Sequence, residues 1–246
     1  MKNPEYQIQD SEQNGSGQFV KEGFEIIPDF FPLEKCSALA IELSLLHNRQ
    51  KETAGNRLGG LRNLLKMLPH VNALANSSEF KAILEKPLNK TFFPVRAIFF
   101  DKTPDANWRV AWHQDLTIAV AEKIETEGFE AWSVKEEINH VQPPCEILEG
   151  MATIRLHLDD CNTDNGALKV IPRSHVLGKF NSSQIQDLTS REATAVCEVP
   201  KGGVLLMRPL ILHSSSPSKN PSHRRVLHIE YASDELPNGL KWFEKQ

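Results

Sequence analysis

The chain has 246 residues, of which 40% are hydrophobic and 24% charged, and a formal net charge of −4, enough for one large β-rich domain or two small ones. The charge is spread without a long Lys/Arg run, which excludes nucleic acid and an anionic membrane surface as expected partners. Apolar runs such as Val204 to Met207 are too short to span a bilayer, and Cys36, Cys145, Cys161 and Cys197 lack the spacing of a zinc ribbon or disulfide framework, so a reducing cytoplasm is expected.

Residues 1–18 read as a flexible polar tail without a signal-peptide core, and 19–246 as a single domain. A short strand is predicted around Phe24–Ile27, halted at Pro28. Pro32 suits the first turn of a helix whose apolar side holds Cys36, Leu39, Ile41, Leu43 and Leu46. Thr53 to Gly60 is a polar loop. Shorter helical pieces follow across Leu61–Leu68, Val71–Ala75 and Glu79–Leu84, which makes 19–91 mainly a helical layer.

From Phe92 the texture changes. Short strands are predicted at Val95–Phe100, Trp108–Trp112, Ala152–Leu158, Ala167–Ile171, Ala193–Val199, Val204–Met207, Ile211–Ser214 and Val226–Tyr231. Turn clusters such as Asp164-Asn165-Gly166 and Lys201-Gly202-Gly203 separate them. Helices first and about eight strands afterwards predict a mostly β protein: a jelly-roll (double-stranded β-helix, cupin-like) core over 92–232, packed against the N-terminal helices. Residues 233–246 form a C-terminal extension. Ile118 to Met151 shows little periodicity, and a long irregular stretch inside a compact domain reads as an active-site cover, taken here as 116–151.

Three H-x-[DE] triplets are candidate metal sites: His113/Asp115, His157/Asp159 and His228/Glu230. Residues i and i+2 of a strand share a face, so each pair has the spacing to reach one ion. His213 ends the apolar run Leu210-Ile211-Leu212 and points to a buried strand carrying an imidazole towards a cavity. Two imidazoles and a carboxylate form the ligand set of non-haem Fe(II) oxygenases. Arg224, eleven positions beyond His213, begins another apolar strand. An arginine turned inward there needs a carboxylate or phosphate partner, and strand parity lets only one of Arg224 and Arg225 point inward.

The ordered segments Asp101-Lys102-Thr103-Pro104, Trp112-His113-Gln114-Asp115-Leu116, Asp159-Asp160 with Asn165-Gly166-Ala167-Leu168, Ile171-Pro172-Arg173-Ser174-His175, Leu212-His213-Ser214-Ser215 and Arg224-Arg225 resemble the phytanoyl-CoA dioxygenase family of Fe(II)/2-oxoglutarate oxygenases, in a bacterial-type branch. The resemblance covers roughly Phe92 to Ala232. It selects His113, Asp115 and His213 as the metal-binding and catalytic set, and assigns the far carboxylate of 2-oxoglutarate to Arg224 with Ser215. Arg155 stands where family members have a tryptophan that contacts 2-oxoglutarate. That departure implies either a second cation for the co-substrate or a contact to an anionic substrate.

The activity implied is oxidation, typically hydroxylation, of a C–H bond in a small-molecule substrate. Fe(II), 2-oxoglutarate and O2 take part, succinate and CO2 are co-products, and no oligomeric state is implied. Related halogenating enzymes lack a carboxylate at the position of Asp115. Candidate substrate contacts are Arg62, Lys102, Trp132 and His157, with Lys135, His140 and Gln142 in the cover. For Arg62 and Lys102 the alternative is solvated surface charge, and for Trp132 an anchor tying the cover to the barrel. His175 reads as a loop tie, and His228 and Glu230 as inner wall. Two other classes use the same residues: a divalent-metal hydrolase or isomerase of the same fold, for example with zinc, and an inactive binding module.

Overall fold

The structure is a computed structural model, described here for residues 16–54, 60–103, 107–219 and 222–245. In chain order its elements begin with α1 (Ser16–Glu22), β1 (Phe24–Ile27), α2 (Leu33–Ala54), α3 (Leu64–Met67), α4 (Pro69–Ala75) and α5 (Ser78–Leu88). There follow β2 (Phe93–Lys102), β3 (Val110–His113), β4 (Ile118–Val120), β5 (Glu130–Lys135), β6 (Ile138–Gln142) and α6 (Cys145–Glu149). The remainder is β7 (Met151–His157), β8 (Leu168–Val170), α7 (Ser182–Arg191), β9 (Ala195–Cys197), β10 (Val204–Met207), β11 (His213–Ser215) and β12 (Arg224–Ala232).

Two antiparallel sheets face each other as the jelly roll requires. The larger has strand order β1-β10-β7-β12-β2 and the smaller β3-β11-β8-β9. Alternation along the large sheet divides its residues cleanly. Ala97, Phe99, Ile154, Leu156, Leu227, Ile229 and Tyr231 turn outward and are buried under Phe19, Leu39, Leu43, Leu64, Phe80 and Leu84 of the helical layer. Each such buried Leu or Phe contributes ~1.5–3 kcal/mol by leaving water. The opposite parity, with Lys102, Arg155, Arg224 and His228, turns into the space between the sheets.

Several expectations need correction. The polar tail does not extend to residue 18, because α1 starts at Ser16 and buries Phe19; residues 1–15 lie outside the described ones, as do 55–59 of the Thr53–Gly60 loop. Ile41 is 60% exposed: the buried stripe of α2 runs Cys36, Leu39, Ala40, Leu43 and His47 at helical spacing, and Ile41 falls on the other side. Leu61 is not helical but bridges Phe99 at the edge of β2, so helix α3 begins only at Leu64.

The segment 118–151 is also more ordered than expected. It forms a three-stranded sheet, β4-β6-β5, followed by α6. Its Phe129, Val141 and Leu148 join Leu210, Leu240 and Trp242 in a second apolar cluster. Trp242 of the C-terminal extension bridges Val120, and the buried carboxylate of Glu244 accepts the backbone N–H groups of Leu65 (3.0 Å) and Ala97 (3.3 Å). The extension therefore ties this sheet to the core.

Candidate metal centre and cavity

His113 ends β3 and His213 begins β11, and these two residues are paired in register. Their rings lie 4.2 Å apart, centroid to centroid. Asp115 does not reach them by strand alternation as its spacing suggests. The strand stops at His113, and the Asp115 N–H donates instead to Pro209 O at 3.0 Å. This local bend brings Asp115 Oδ1 to 3.7 Å from His113 Nε2, and Oδ2 to 3.8 Å from His213 Nε2. One ligand atom from each of the three lies within 4.8 Å of the others, a spacing suited to one ion.

The backbone sets the chemistry of both imidazoles. His113 Nδ1 donates to Ala111 O and His213 Nδ1 to Ile211 O, each at 2.9 Å, which leaves both Nε2 lone pairs towards Asp115. Burial pushes His213 down to about 4, against the pull of Asp115, so its ring is neutral at physiological pH, the form a metal needs. Burial acts to raise the Asp115 carboxyl, but His213, His228, His113 and Arg155 outweigh it and hold it below the ordinary range. Gln114 turns its amide away: it donates to Gly178 O and Leu210 O and accepts from the Phe180 N–H, pinning the segment between the ligands.

The triad opens on a cavity of about 620 Å³ whose walls include Arg62, Arg96, Phe100, Lys102, Trp108, Lys135, Gln142, Arg155, Ser215, Arg224, His228 and Glu230. Its buried cations Arg224 and Lys102 have no ion-paired carboxylate among the described residues. Arg224 is buried and donates to Gly166 O at 2.5 Å, with Cys161 Sγ at 3.9 Å, while its Nε lacks a partner among the described residues. Lys102 Nζ donates to Ser215 Oγ (2.7 Å) and Ser216 O (2.8 Å), and Ser215 donates in turn to Gly166 O. Burial and then the nearby Arg224 push Lys102 down to about 8. Arg225 has the other parity and pairs with Asp159 in a two-pronged ion pair outside the cavity.

The structure thus gathers His113, Asp115, His213, Arg224, Ser215, Arg155, Arg62 and Lys102 around one space. Lys102 is only 1% exposed, which overturns the surface-charge alternative for it. Arg62 lines the mouth and pairs with Glu136 at 2.6 Å. Two candidates fall elsewhere. Trp132 packs on the second apolar cluster and does not line the cavity, as its anchoring alternative has it. His157 is on the inner face of β7 but buried beyond the cavity lining, with neither ring nitrogen partnered among the described residues; burial, then Arg155 and Arg224, pushes it well below its ordinary range.

His140 is likewise off the cavity, bonded to Ile138 O. His175 is buried against Gly23, as a loop tie would be. Sequence reasoning missed Arg96, which sits opposite Glu230 in register and pairs with it at 3.2 Å. The signal was present: Arg96, Ile98, Phe100 and Lys102 alternate along β2 and all face the cavity.

A facing pair of sheets with two histidines and a carboxylate in the same gap as buried cations defines a jelly-roll protein with a candidate metal centre. The chain belongs to the phytanoyl-CoA dioxygenase family, whose match spans residues 19–226. No curated protein sequence matches it. Solved structures do, at low identity and therefore in fold. EctD from S. alaskensis with bound Fe is 15% identical with a TM-score of 0.68, over 99% of this chain and 87% of that one. HygX from Streptomyces hygroscopicus with nickel and 2-oxoglutarate bound is 14% identical (TM-score 0.60, covering 87% and 84%). SnoK, a non-heme alpha ketoglutarate dependent carbocyclase from nogalamycin biosynthesis, is 13% identical (TM-score 0.68, covering 92% and 86%).

Proposed function

We propose that this protein is an Fe(II)- and 2-oxoglutarate-dependent oxygenase that oxidises a C–H bond of a small-molecule substrate. The observation that carries the reading is the pairing of two features in one cavity: a His113/Asp115/His213 set with both Nε2 lone pairs free for a metal, and buried cations at Arg224 and Lys102 without an ion-paired carboxylate among the described residues. An ion pocket alone would fit zinc hydrolysis equally well. The buried cations are what a dicarboxylate co-substrate explains, and the family and its iron- and 2-oxoglutarate-bound structural neighbours support it.

His113, Asp115 and His213 hold the metal. Arg224 and Lys102 take the far carboxylate of 2-oxoglutarate. Ser215, which accepts from Lys102 and donates to Gly166 O, aims the ammonium group. When bound, iron and 2-oxoglutarate supply the oxidation, with O2 as oxidant and succinate and CO2 as co-products. The protein's own part is to fix positions and keep the His213 imidazole neutral.

The Asp115 carboxylate fills the position that halogenating relatives lack, which favours hydroxylation or a related oxidation. Neighbours described as a carbocyclase and an epimerase carry other outcomes on this fold. Four free cysteines suit a cytoplasmic protein, and among the described residues no helix is long and apolar enough to cross a membrane.

The test is an anaerobic titration with Fe(II) and 2-oxoglutarate, followed by the visible charge-transfer band of the chelate. The wild type is expected to develop the band. Arg224→Ala is expected to need at least ~10-fold more 2-oxoglutarate, as loss of one charged hydrogen bond of about 1.5–3 kcal/mol requires. No band in the wild type, or an unchanged titration in the variant, would count against the reading.

A further inference from the structure

One charge in the cavity wall is left over once the metal and the co-substrate have their partners. Arg155 on β7 is 7% exposed, and its NH1 donates to His228 Nδ1 at 2.8 Å. Its Nε has no partner among the described residues. Arginine can only donate, so His228 accepts at Nδ1 and carries its proton on Nε2, which lies 3.3 Å from Glu230 Oε1. Arg96 NH1 is 3.2 Å from the same oxygen. The row Arg96–Glu230–His228–Arg155 thus neutralises Glu230 through Arg96 and presents Arg155 with the Nδ1 lone pair of His228. The guanidinium is oriented without an ion pair among the described residues, the Asp115 carboxylate acting on it only from beyond hydrogen-bond reach. Phe100 flanks it at 5.8 Å and meets His228 edge-on at 5.7 Å, holding both planes.

Among the described residues, Lys102, Arg155 and Arg224 are buried cations that face this cavity without an ion-paired carboxylate. Lysine can shed its proton where it is buried, whereas a guanidinium cannot. Under the functional reading above, on which this inference rests, one carboxylate of 2-oxoglutarate belongs to the metal and the other to Arg224 and Lys102. Arg155 keeps its charge, and an unpaired buried charge is strongly unfavourable. Lys135 lines the same cavity, as do Arg96 and Arg62, whose charges are met by Glu230 and Glu136. Ile98, Phe100, Trp108 and Leu116 supply its apolar wall.

We infer that the substrate is a small carboxylic acid with a compact apolar or aromatic body, its carboxylate docking on Arg155. One N–H of the guanidinium is already committed to His228, and the remaining donors suit one planar carboxylate, which a fork of parallel hydrogen bonds can grip. Arg155 is then a substrate-binding residue, and His228 and Glu230 position it.

The probes are benzoate and its neutral isostere benzamide, titrated calorimetrically into the full-length protein loaded with Ni(II) and 2-oxoglutarate, so that no turnover is needed. Benzoate is expected to bind with 2-oxoglutarate retained, at least tenfold more tightly than benzamide. Arg155→Gln is expected to lose that tenfold preference while its own 2-oxoglutarate affinity stays within twofold. Arg155→Lys, which keeps a cation, is expected to retain part of the preference and serves as a check on folding. Equal binding of the two probes, no benzoate binding, displacement of 2-oxoglutarate by benzoate, or equal weakening of 2-oxoglutarate in Arg155→Gln would each overturn the inference. Failure of the nickel-loaded wild type to bind 2-oxoglutarate would instead sink the functional reading, and this inference with it.

Discussion

Gly166 is where the backbone, the cation pocket and the Asn165-Gly166 turn meet, and Gly166→Ala perturbs all three. Its φ of +84° lies in the left-handed region, and its carbonyl receives both Arg224 NH1 and Ser215 Oγ. A Cβ there would stand 2.5 Å from Ser216 O and 3.2 Å from Lys102 Nζ. Gly239 offers the control, with φ +81° and nothing within 4 Å of its Cβ position. Both substitutions carry the left-handed penalty of ~1–2 kcal/mol. Only Gly166→Ala adds an overpacking cost of ~1–3 kcal/mol, because the obstructing atom is backbone and has little room to yield. Urea unfolding of the two variants should therefore place Gly166→Ala lower by that second amount.

The displaced Gly166 carbonyl should also carry Arg224 and Ser215 with it, weakening 2-oxoglutarate in the anaerobic band titration by about tenfold or more, or ~1.4 kcal/mol. Gly239→Ala should bind it as the wild type does. Equal stabilities, or an unchanged 2-oxoglutarate titration in Gly166→Ala, would refute the argument.

Tyr231 is fully buried under the helical layer, and its hydroxyl donates to Ala75 O at 2.9 Å; Tyr231→Phe should lower stability by about 1–2 kcal/mol in urea unfolding without altering metal binding. Glu244 gives a pH signature. Burial, only partly offset by the N–H groups of Leu65 and Ala97, raises its pKa from 4.5 to about 7. The folded state then holds a proton that the unfolded state has released, so this group's contribution is greatest below about pH 4.5 and is lost as pH rises towards 7. Relative to Glu244→Gln, which has no such proton, the wild type should lose on the order of 3 kcal/mol across that window; parallel stability–pH profiles for the two proteins would contradict this.

Much of this architecture was legible because strand alternation is strict where both faces of a sheet are used. The apolar positions Leu227, Ile229 and Tyr231 and the polar positions Arg224, His228 and Glu230 of β12 already separate by parity, and so do Arg224 and Arg225. The sheet β4-β6-β5 was not legible for a matching reason. β5 is exposed at five of its six positions, and Ala131 within it takes φ +50°, breaking the alternation. The helix α7 has no counterpart in the expectations either, since it buries only Leu188. Its one clear signal is the Asn181/Gln184 capping box.

The candidate metal ligands were readable as residue types but not as geometry. Asp115 joins the histidines through the Pro209 contact, a long-range hydrogen bond that spacing cannot reveal. The partners that orient Arg155 and Lys102, His228 and Ser215, stand 73 and 113 residues away from them and meet them only through the fold.

The most direct test of the central claim is to follow conversion of 2-oxoglutarate to succinate in the presence of Fe(II) and O2, without added substrate and then with a panel of small carboxylic acids. The expected result is slow succinate formation that needs Fe(II) and O2, is accelerated by the true substrate, is not supported by Zn(II), and disappears in His213→Ala. Absence of succinate under all these conditions from a protein that binds the metal, or a reaction supported by Zn(II) without consumption of 2-oxoglutarate, would contradict it.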